Sequence, residues 1–141
     1  MPATNYLRSP YEQMHGWMHL PRYIDKIRLQ LAGKLDPDYE PFLGKSTDAL
    51  WLNAAGLTHE QMVTLVKDSI TDGQICEWIR LNVHKTEAQK HAFNHLLINR
   101  PDPHDREQAE HFAQRKAFYN LTHRDDVTRF VDLIEADEGR L

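Results

Sequence analysis

Residues 16–35 read Gly-Trp-Met-His-Leu-Pro-Arg-Tyr-Ile-Asp-Lys-Ile-Arg-Leu-Gln-Leu-Ala-Gly-Lys-Leu and predict the first long helix of the chain. Pro21 suits the first helical turn, because its missing N–H is not needed there and its fixed φ matches the helix. Gly33 suits the position just after the helix, where a positive φ is favoured. Between them, apolar residues recur at the spacing of one helical face: Leu20, Ile24, Ile27 and Leu31. We expect this face to be buried.

The polar residues of this helix fall into two groups. Three of them project away from the apolar face and predict a solvated side: Arg22, Lys26 and Gln30. Arg28 instead projects into the flank of the apolar stripe. Its guanidinium either reaches water along an aliphatic stem or is held by a carboxylate, as a core clamp or as an anion receptor. Asp25, one turn earlier, is the nearest candidate for that carboxylate.

The same stretch holds the candidate binding residues of the chain: Trp17, His19, Arg22, Asp25, Lys26 and Arg28. A purely structural interpretation is a packed tryptophan, a solvated basic face and an Asp25–Arg28 ion pair of small energetic weight. A functional interpretation is a small anion-binding or catalytic pocket lined by Arg28 and Asp25. In that pocket His19 would exchange protons near neutral pH, and the loop of residues 34–46 would cover it.

Three segments resemble a known family. Residues 16–28, followed by Leu-Ala-Gly-Lys-Leu at 31–35, are similar to the opening of a bacterial domain-of-unknown-function family, number 5069 in that series. Arg-Ser-Pro at 8–10 and the segment of residues 71–78 resemble it too. The resemblance covers most of the chain. It implies a small bacterial, cytoplasmic, helical protein and implies no activity.

Size and charge narrow the class of protein. A chain of 141 residues with 27% charged residues and a mean hydropathy of −0.66 has the size and composition of one globular domain. The formal net charge is −4, and no basic run stands out. Nucleic-acid binding depends on Lys and Arg neutralising phosphates, so it is not favoured. No apolar run is long enough to cross a bilayer, so no membrane partner is expected.

Cys76 is the only cysteine of the chain. A single cysteine excludes an intramolecular disulfide and a zinc site built from several cysteines. The first residues lack the charged and apolar segments of a secretory signal. We therefore expect a cytoplasmic protein. The apolar neighbours of Cys76 favour a buried structural thiol over a reactive nucleophile.

We expect an arm, a long loop and one helical domain. Residues 1–15 are predicted to form an irregular arm packed on the body, because Pro10 disfavours helix before it. Residues 16–141 are predicted to form the domain. Residues 34–46 contain two prolines and a glycine and predict a long loop. Its large apolar side chains indicate that the loop is ordered: Tyr39, Phe42 and Leu43.

Later helices are marked by their start signals. Three segments place glutamine three residues after threonine, which is a capping box: Thr58 with Gln61, Thr71 with Gln74, and Thr86 with Gln89. A helix is also predicted over residues 46–55, another over 102–121 and a last one after 122. No segment alternates like a strand. We predict an all-α fold of six or seven mostly short helices, whose buried faces include Leu65, Trp78 and Leu96.

Several short motifs are incomplete. Gly44-Lys45-Ser46 is similar to the end of a P-loop, but Tyr39 stands where the first glycine is required. His59-Glu60 begins like a zinc-protease motif, but Val63 stands where the second histidine is required. A helix-turn-helix over residues 62–78 would lack the basic and amide side chains that read bases.

His91 and His95 have the spacing of two metal ligands on one helical turn. They project opposite Phe93 and Leu97, which favours two exposed histidines over a metal site. No metal or other cofactor is predicted. No catalytic motif is recognised, so enzymatic activity stays open.

The leading hypothesis is a binding or interaction module of unknown partner, and the sequence is compatible with a homodimer. The alternative is a small enzyme or anion-binding protein with a pocket around Arg28, Asp25 and His19. The burial of these three residues distinguishes the two hypotheses. Residues facing a concave pocket would favour the alternative, and an exposed apolar patch would favour a partner surface.

Overall fold

The computed structural model describes residues 7–141, which form seven α-helices and one short hairpin. The elements are β1 (Gln13–Met14), β2 (Trp17–Met18), α1 (Leu20–Leu31), α2 (Thr47–Ala55), α3 (His59–Lys67), α4 (Asp72–Asn82), α5 (Glu87–Asn99), α6 (Arg106–Phe118) and α7 (Phe130–Asp137). A single 3₁₀ turn, Glu40–Phe42, lies within the loop of residues 34–46. The predicted all-α fold with a long ordered loop is confirmed. No helix among the described residues has both the length and the apolar composition of a membrane-spanning segment.

The described chain forms two compact units, residues 7–94 and residues 95–141. The predicted single domain over residues 16–141 stays a prediction. Of the predicted arm, residues 1–6 lie outside the described residues. Leu7 and Met14 are buried, and Tyr11 is exposed.

The hairpin was missed by the sequence analysis. β1 and β2 are antiparallel, with Gln13 opposite Met18 and Met14 opposite Trp17. The turn between them is His15-Gly16, and both residues have positive φ, at 51° and 83°. A two-residue turn of this kind matches the twist of paired strands. The strands are too short to show the alternation by which strands are recognised in a sequence.

Aromatic side chains fill the core of residues 7–94. The Trp17 ring packs edge-on against Trp51 and Phe93, with ring centroids 6.0 and 5.7 Å apart. Tyr23 packs edge-on against Trp51 at 6.0 Å. Such edge-to-face pairs stabilise a core by about 0.5–1.5 kcal/mol beyond the area they bury. Trp17, Trp51 and Tyr23 are fully buried, so these rings fix the hairpin, α1 and α2 around one centre.

Helix α1 is buried on more sides than its sequence predicts. Leu20, Ile24 and Ile27 are buried as predicted, but Leu31 at the helix end is 47% exposed. The solvated face predicted for Arg22 and Lys26 was wrong, because both residues are buried. A helical projection identifies the faces of one helix, and it contains no information about which neighbours cover them. Here, polar partners from later segments cover the second face.

The predicted capping boxes are present at α3, α4 and α5. At α3, Gln61 N donates to Thr58 Oγ1 at 3.2 Å and Thr58 N donates to Gln61 Oε1 at 2.9 Å. The same reciprocal bonds join the two other predicted pairs, Thr71 with Gln74 and Thr86 with Gln89. Helix α2 ends at Gly56 with φ 78°, as predicted.

Residues 95–141 have a small core of their own. Phe112, Val127 and Leu133 form it, and the elements that supply it are α6, the following loop and α7. The start predicted at residue 102 was early, because Asp105 caps α6 by accepting from Gln108 N at 3.1 Å. The last helix likewise begins later than predicted, at Phe130. Leu96, which was predicted to be buried, is 49% exposed.

Candidate functional site

The structure divides the six candidate residues of the sequence among four environments. Trp17 belongs to the aromatic core described above. His19 and Lys26 converge on a carboxylate of α2, while Asp25 and Arg28 belong to a second charged cluster. Arg22 packs on the loop of residues 34–46.

Asp48 is the centre of the first cluster. It is fully buried at the second residue of α2. His19 Nε2 lies 2.6 Å from Asp48 Oδ1, and Lys26 Nζ lies 3.1 Å from Oδ2 and 3.3 Å from Oδ1. The backbone N–H of Gly44 donates to Oδ2 at 2.9 Å. The Asp48 carboxylate of α2 thus contacts His19 at the start of α1, Lys26 within α1 and Gly44 of the loop.

The charge state of this cluster follows from its burial. Burial alone raises the pKa of Asp48, but the Lys26 ammonium and the hydrogen bonds from His19 and Gly44 outweigh it and hold that pKa below its ordinary value. Burial lowers the pKa of His19, against the opposing effect of Asp48. We therefore describe a charged Lys26–Asp48 pair with a neutral imidazole beside it.

His19 also begins α1 in a left-handed conformation. Its φ is 72°, and its side chain does not cap the helix. If Nε2 carries the proton donated to Asp48, Nδ1 is left as an acceptor, and this buried atom has no hydrogen-bond partner. Ser46, just before α2, also has a positive φ, at 53°. Non-glycine residues in this region carry backbone strain, which the contacts of Asp48 offset.

The second cluster joins the segment before the hairpin to α1 and α4. The Arg8 guanidinium donates to both oxygens of Asp25, at 2.9 Å from Nη2 and 3.0 Å from Nε, and to Asp72 at 2.8 Å from Nη1. Arg28 Nη1 donates to the other Asp72 oxygen at 2.5 Å. The intrahelical pairing of Asp25 with Arg28 that the sequence suggested was wrong, because each residue pairs with a more distant segment.

Asp72 accepts hydrogen bonds from two arginines, and these bonds favour its charged form. Burial raises the pKa of Asp72, but hydrogen bonds from Arg8 and Arg28 outweigh it and lower that pKa. The Arg28 side chain keeps about a third of its surface exposed, at 34%. Its Nη2 is buried without a hydrogen-bond partner. Arg28 therefore combines a clamp to α4 with one unused donor atom.

The loop of residues 34–46 contacts α1 through an aromatic ring. The Arg22 guanidinium carbon lies 5.6 Å from the centroid of the Tyr39 ring. Arg22 Nη1 also donates to the backbone oxygen of Arg8 at 3.2 Å. A buried arginine stacked on an aromatic ring stabilises the packing through its planar cation.

Tyr23 and His59 form a pair that the sequence analysis did not find. The Tyr23 hydroxyl lies 2.6 Å from His59 Nδ1. The His59 ring also lies where a Cβ on Gly44 would be, at 2.7 Å. Burial raises the pKa of the Tyr23 hydroxyl. The tyrosine thus stays protonated, which favours a structural hydrogen bond over nucleophilic chemistry.

A surface groove of about 590 Å³ lies between α3 and α4. Leu65 and Trp78 form its apolar part, and Glu60 and Asp68 bring two carboxylates to it. None of the described residues that line it is Lys or Arg. Leu65 and Trp78 were predicted to be buried, and both are only partly buried because they face this groove.

The described residues contain no group of three His, Cys, Asp or Glu side chains that could hold a metal ion. His91 and His95 are exposed, as predicted. Cys76, predicted to be buried, is partly buried.

We predict that Asp48→Ala is strongly destabilising. The substitution leaves the Lys26 ammonium without its carboxylate inside the core, and removing one partner of a buried pair costs about 3–5 kcal/mol. Asp38→Ala is the matched control, because Asp38 is exposed on the loop and surface substitutions change stability by about 0.5 kcal/mol or less. Urea unfolding followed by circular dichroism measures both. A loss below about 1 kcal/mol for Asp48→Ala would show that the pair has little structural weight.

We also predict that stability falls as the pH is lowered from neutral. The unfolded chain binds a proton on His19 near its ordinary pKa of 6.5, whereas the folded chain does not, so stability is lost below that pH. Asp48 adds a second loss: its contribution is present above 3.8 and disappears as the pH falls through its lowered pKa.

Urea unfolding at about pH 7.5 and at about pH 5 measures the first loss. In His19→Asn, which tolerates the left-handed backbone, the free energy of unfolding should change less between these two conditions. Equal changes in the wild type and His19→Asn would exclude His19 as the source.

The comparisons with known proteins identify a family without an activity. The model of a domain of unknown function (DUF5069) matches residues 4–140. No curated protein matches the sequence. Because the match spans almost the whole chain, the protein belongs to the DUF5069 family.

Proposed function

We propose that this chain is a protein-interaction module and that its binding surface is the groove between α3 and α4. The observation that carries the proposal is the uncovered apolar surface in and beside this groove. Leu65 and Trp78 lie within it. Ile70, in the connection between the two helices, is 87% exposed, and Leu81 on α4 is 54% exposed. Apolar groups left in water next to a concave surface are typical of partner sites.

The buried faces of α3 and α4 determine which of their faces are left exposed to solvent. Met62 and Val66 of α3 and Ile75 and Ile79 of α4 are buried in the core. Ile75, Trp78 and Leu81 are spaced three residues apart, so the apolar surface of α4 continues from the buried Ile75 through Trp78 to the exposed Leu81. Helix α4 is therefore apolar on more than one face, which a helix with no further partner does not need.

The groove is held in a fixed shape before any partner arrives. Gln61 and Gln74 line it and also complete the capping boxes that start α3 and α4. Asp72, the first residue of α4, is bound by Arg8 and Arg28. A preformed surface loses little conformational entropy on binding, which favours affinity.

The charged clusters of α1 support a structural role more than a catalytic one. The oxygens of Asp48 and Asp72 already accept hydrogen bonds from basic side chains. Asp48 and His19 are also fully buried. Groups that act on a substrate must reach it, and these groups contact each other instead.

One observation favours the alternative of a small anion-binding site. Arg28 has an unused donor, Nη2, and a partly exposed side chain. A thermal-shift screen of inorganic phosphate, sulfate and small carboxylates separates the two functions, because a bound ligand raises the melting temperature. The interaction module predicts no anion-dependent rise. A rise that a folded Arg28→Lys variant loses would instead favour the pocket, because lysine keeps the charge and lacks the planar fork.

We further propose that the protein is bacterial and that it is located in the cytoplasm. The chain contains Cys76 as its only cysteine, and disulfides are the usual reinforcement of small extracellular domains. The interaction partner is then another protein of the same compartment.

If the groove is the binding surface, the affinity of peptides that bind the protein should depend on Trp78. We expect a random peptide library displayed on phage to yield peptides that bind the immobilised wild-type chain and lose at least about tenfold in affinity with Trp78→Ala. The reason is that the largest apolar contact of the groove is removed. Leu96→Ala is the matched control, since Leu96 is an exposed leucine of α5. Fluorescence anisotropy with labelled peptides gives the affinities.

Circular dichroism and cooperative unfolding establish that both variants are folded. Selected peptides that bind Trp78→Ala as tightly as the wild type would contradict the proposal, because their site would lie elsewhere.

A further inference from the structure

We propose that the groove binds a cationic amphipathic helix of a partner protein, with two basic side chains flanking an apolar one. This inference rests on the proposed function and specifies the partner that the same groove accepts. Three observations carry it: the two carboxylates of the groove, their spacing, and the position of the apolar side chains between them.

The carboxylates of Glu60 and Asp68 form no ion pair within the described chain. Both residues are exposed, and no hydrogen bond or salt bridge joins either side chain to a basic group. Elsewhere on the same two helices, Glu77 pairs with Arg80 and Asp72 pairs with two arginines. The groove therefore presents two free negative charges and no Lys or Arg of its own. Charge complementarity favours a basic partner and raises its association rate.

The spacing of the two carboxylates sets the spacing of the partner's cations. Glu60 lies in α3 and Asp68 is its C-terminal cap, and their separation of eight positions corresponds to about 12 Å of helical rise. Two basic residues seven positions apart on a partner helix are separated by about 10.5 Å. Lysine and arginine side chains are long and flexible enough to cover the remaining difference.

The apolar side chains at the base of the groove, which we call the apolar floor, lie between the two carboxylates. Leu65 occupies α3 between Glu60 and Asp68, and Trp78 faces the groove from α4. A partner residue three or four positions after its first cation lies on the same face of its helix and meets this floor. Trp78 also offers a ring on which a lysine or arginine can pack. The expected partner motif is therefore a basic residue, an apolar residue three or four positions later, and a basic residue seven positions after the first.

The same charges disfavour other occupants. A second copy of this chain has a formal net charge of −4 and would bring further negative charge to an acidic groove. Phosphate-rich nucleic acid and anionic lipid would be repelled for the same reason. A basic segment of another protein is the occupant that fits both the apolar and the acidic parts.

Three blocked alanine-based peptides test the inference. The first has lysines seven positions apart with leucine between them, the second replaces the lysines with glutamates, and the third replaces the leucine with alanine. Trp78 reports binding, because Trp17 and Trp51 are fully buried and only Trp78 is partly exposed. We expect the lysine–leucine peptide to protect Trp78 from acrylamide quenching. Each of the other two peptides should bind at least about tenfold more weakly.

A pair of charge variants locates the effect. Glu60→Gln with Asp68→Asn should weaken the lysine–leucine peptide at least about tenfold at low salt. Glu12→Gln with Asp38→Asn is the control, because it removes the same charge from exposed positions outside the groove. High salt should reduce the difference between the two double variants. In Trp78→Phe, the fluorescence that the peptide protects from acrylamide quenching should disappear.

The outcomes separate the inference from the proposed function. If the lysine–leucine peptide fails to bind at about 1 mM or binds no better than the glutamate peptide, the inference is wrong. Selected library peptides that still require Trp78 would then leave the groove as the interaction site. Trp78 protected by raising the protein concentration alone, together with a dimer in sedimentation, would instead identify a second copy as the occupant and overturn the inference.

Discussion

The interaction on which the rest of residues 7–94 depends is the burial of Asp48 against Lys26 and His19. A carboxylate without a partner cannot be buried at this depth, because desolvation disfavours its charge. Lys26 supplies the opposite charge, and His19 and Gly44 supply hydrogen bonds. The same contacts hold α1, the loop of residues 34–46 and α2 together. They also fix His19 and Ser46 in strained backbone conformations.

Around this centre, the residues that stabilise the fold are distinct from those of the proposed binding surface. Aromatic rings of the hairpin, α1 and α2 fill the core, and the Arg8–Asp72–Arg28 cluster ties α4 to the same body. The charged side chains of α1 are thereby paired with residues of other segments. The outer side of α3 and α4 differs, because apolar side chains are uncovered there and the groove carboxylates of Glu60 and Asp68 form no ion pair within the described chain. This difference is the physical basis for proposing a binding surface there.

Local signals in the sequence predicted the fold well, and non-local contacts explain what was missed. The capping boxes at Thr58 and Thr71 involve residues three positions apart, so the sequence alone identifies them. The contact of His19 with Asp48 spans 29 positions, and no local pattern marks it. A signal for the groove does exist in the sequence. Trp78 adds a second apolar face to α4 beside Ile75 and Ile79, which is wider than one buried face requires.

The outer face of α3 and α4 is the surface on which we propose that the protein binds its partner in the cell. A photo-crosslinking residue in place of Thr64, within the groove, tests this proposal directly, with the exposed Asn53 of α2 as the control position. We expect discrete crosslinked products from position 64 that disappear in a folded Trp78→Ala background, and none from position 53. Equal products from both positions, or products from 64 that persist with Trp78→Ala, would contradict the proposal.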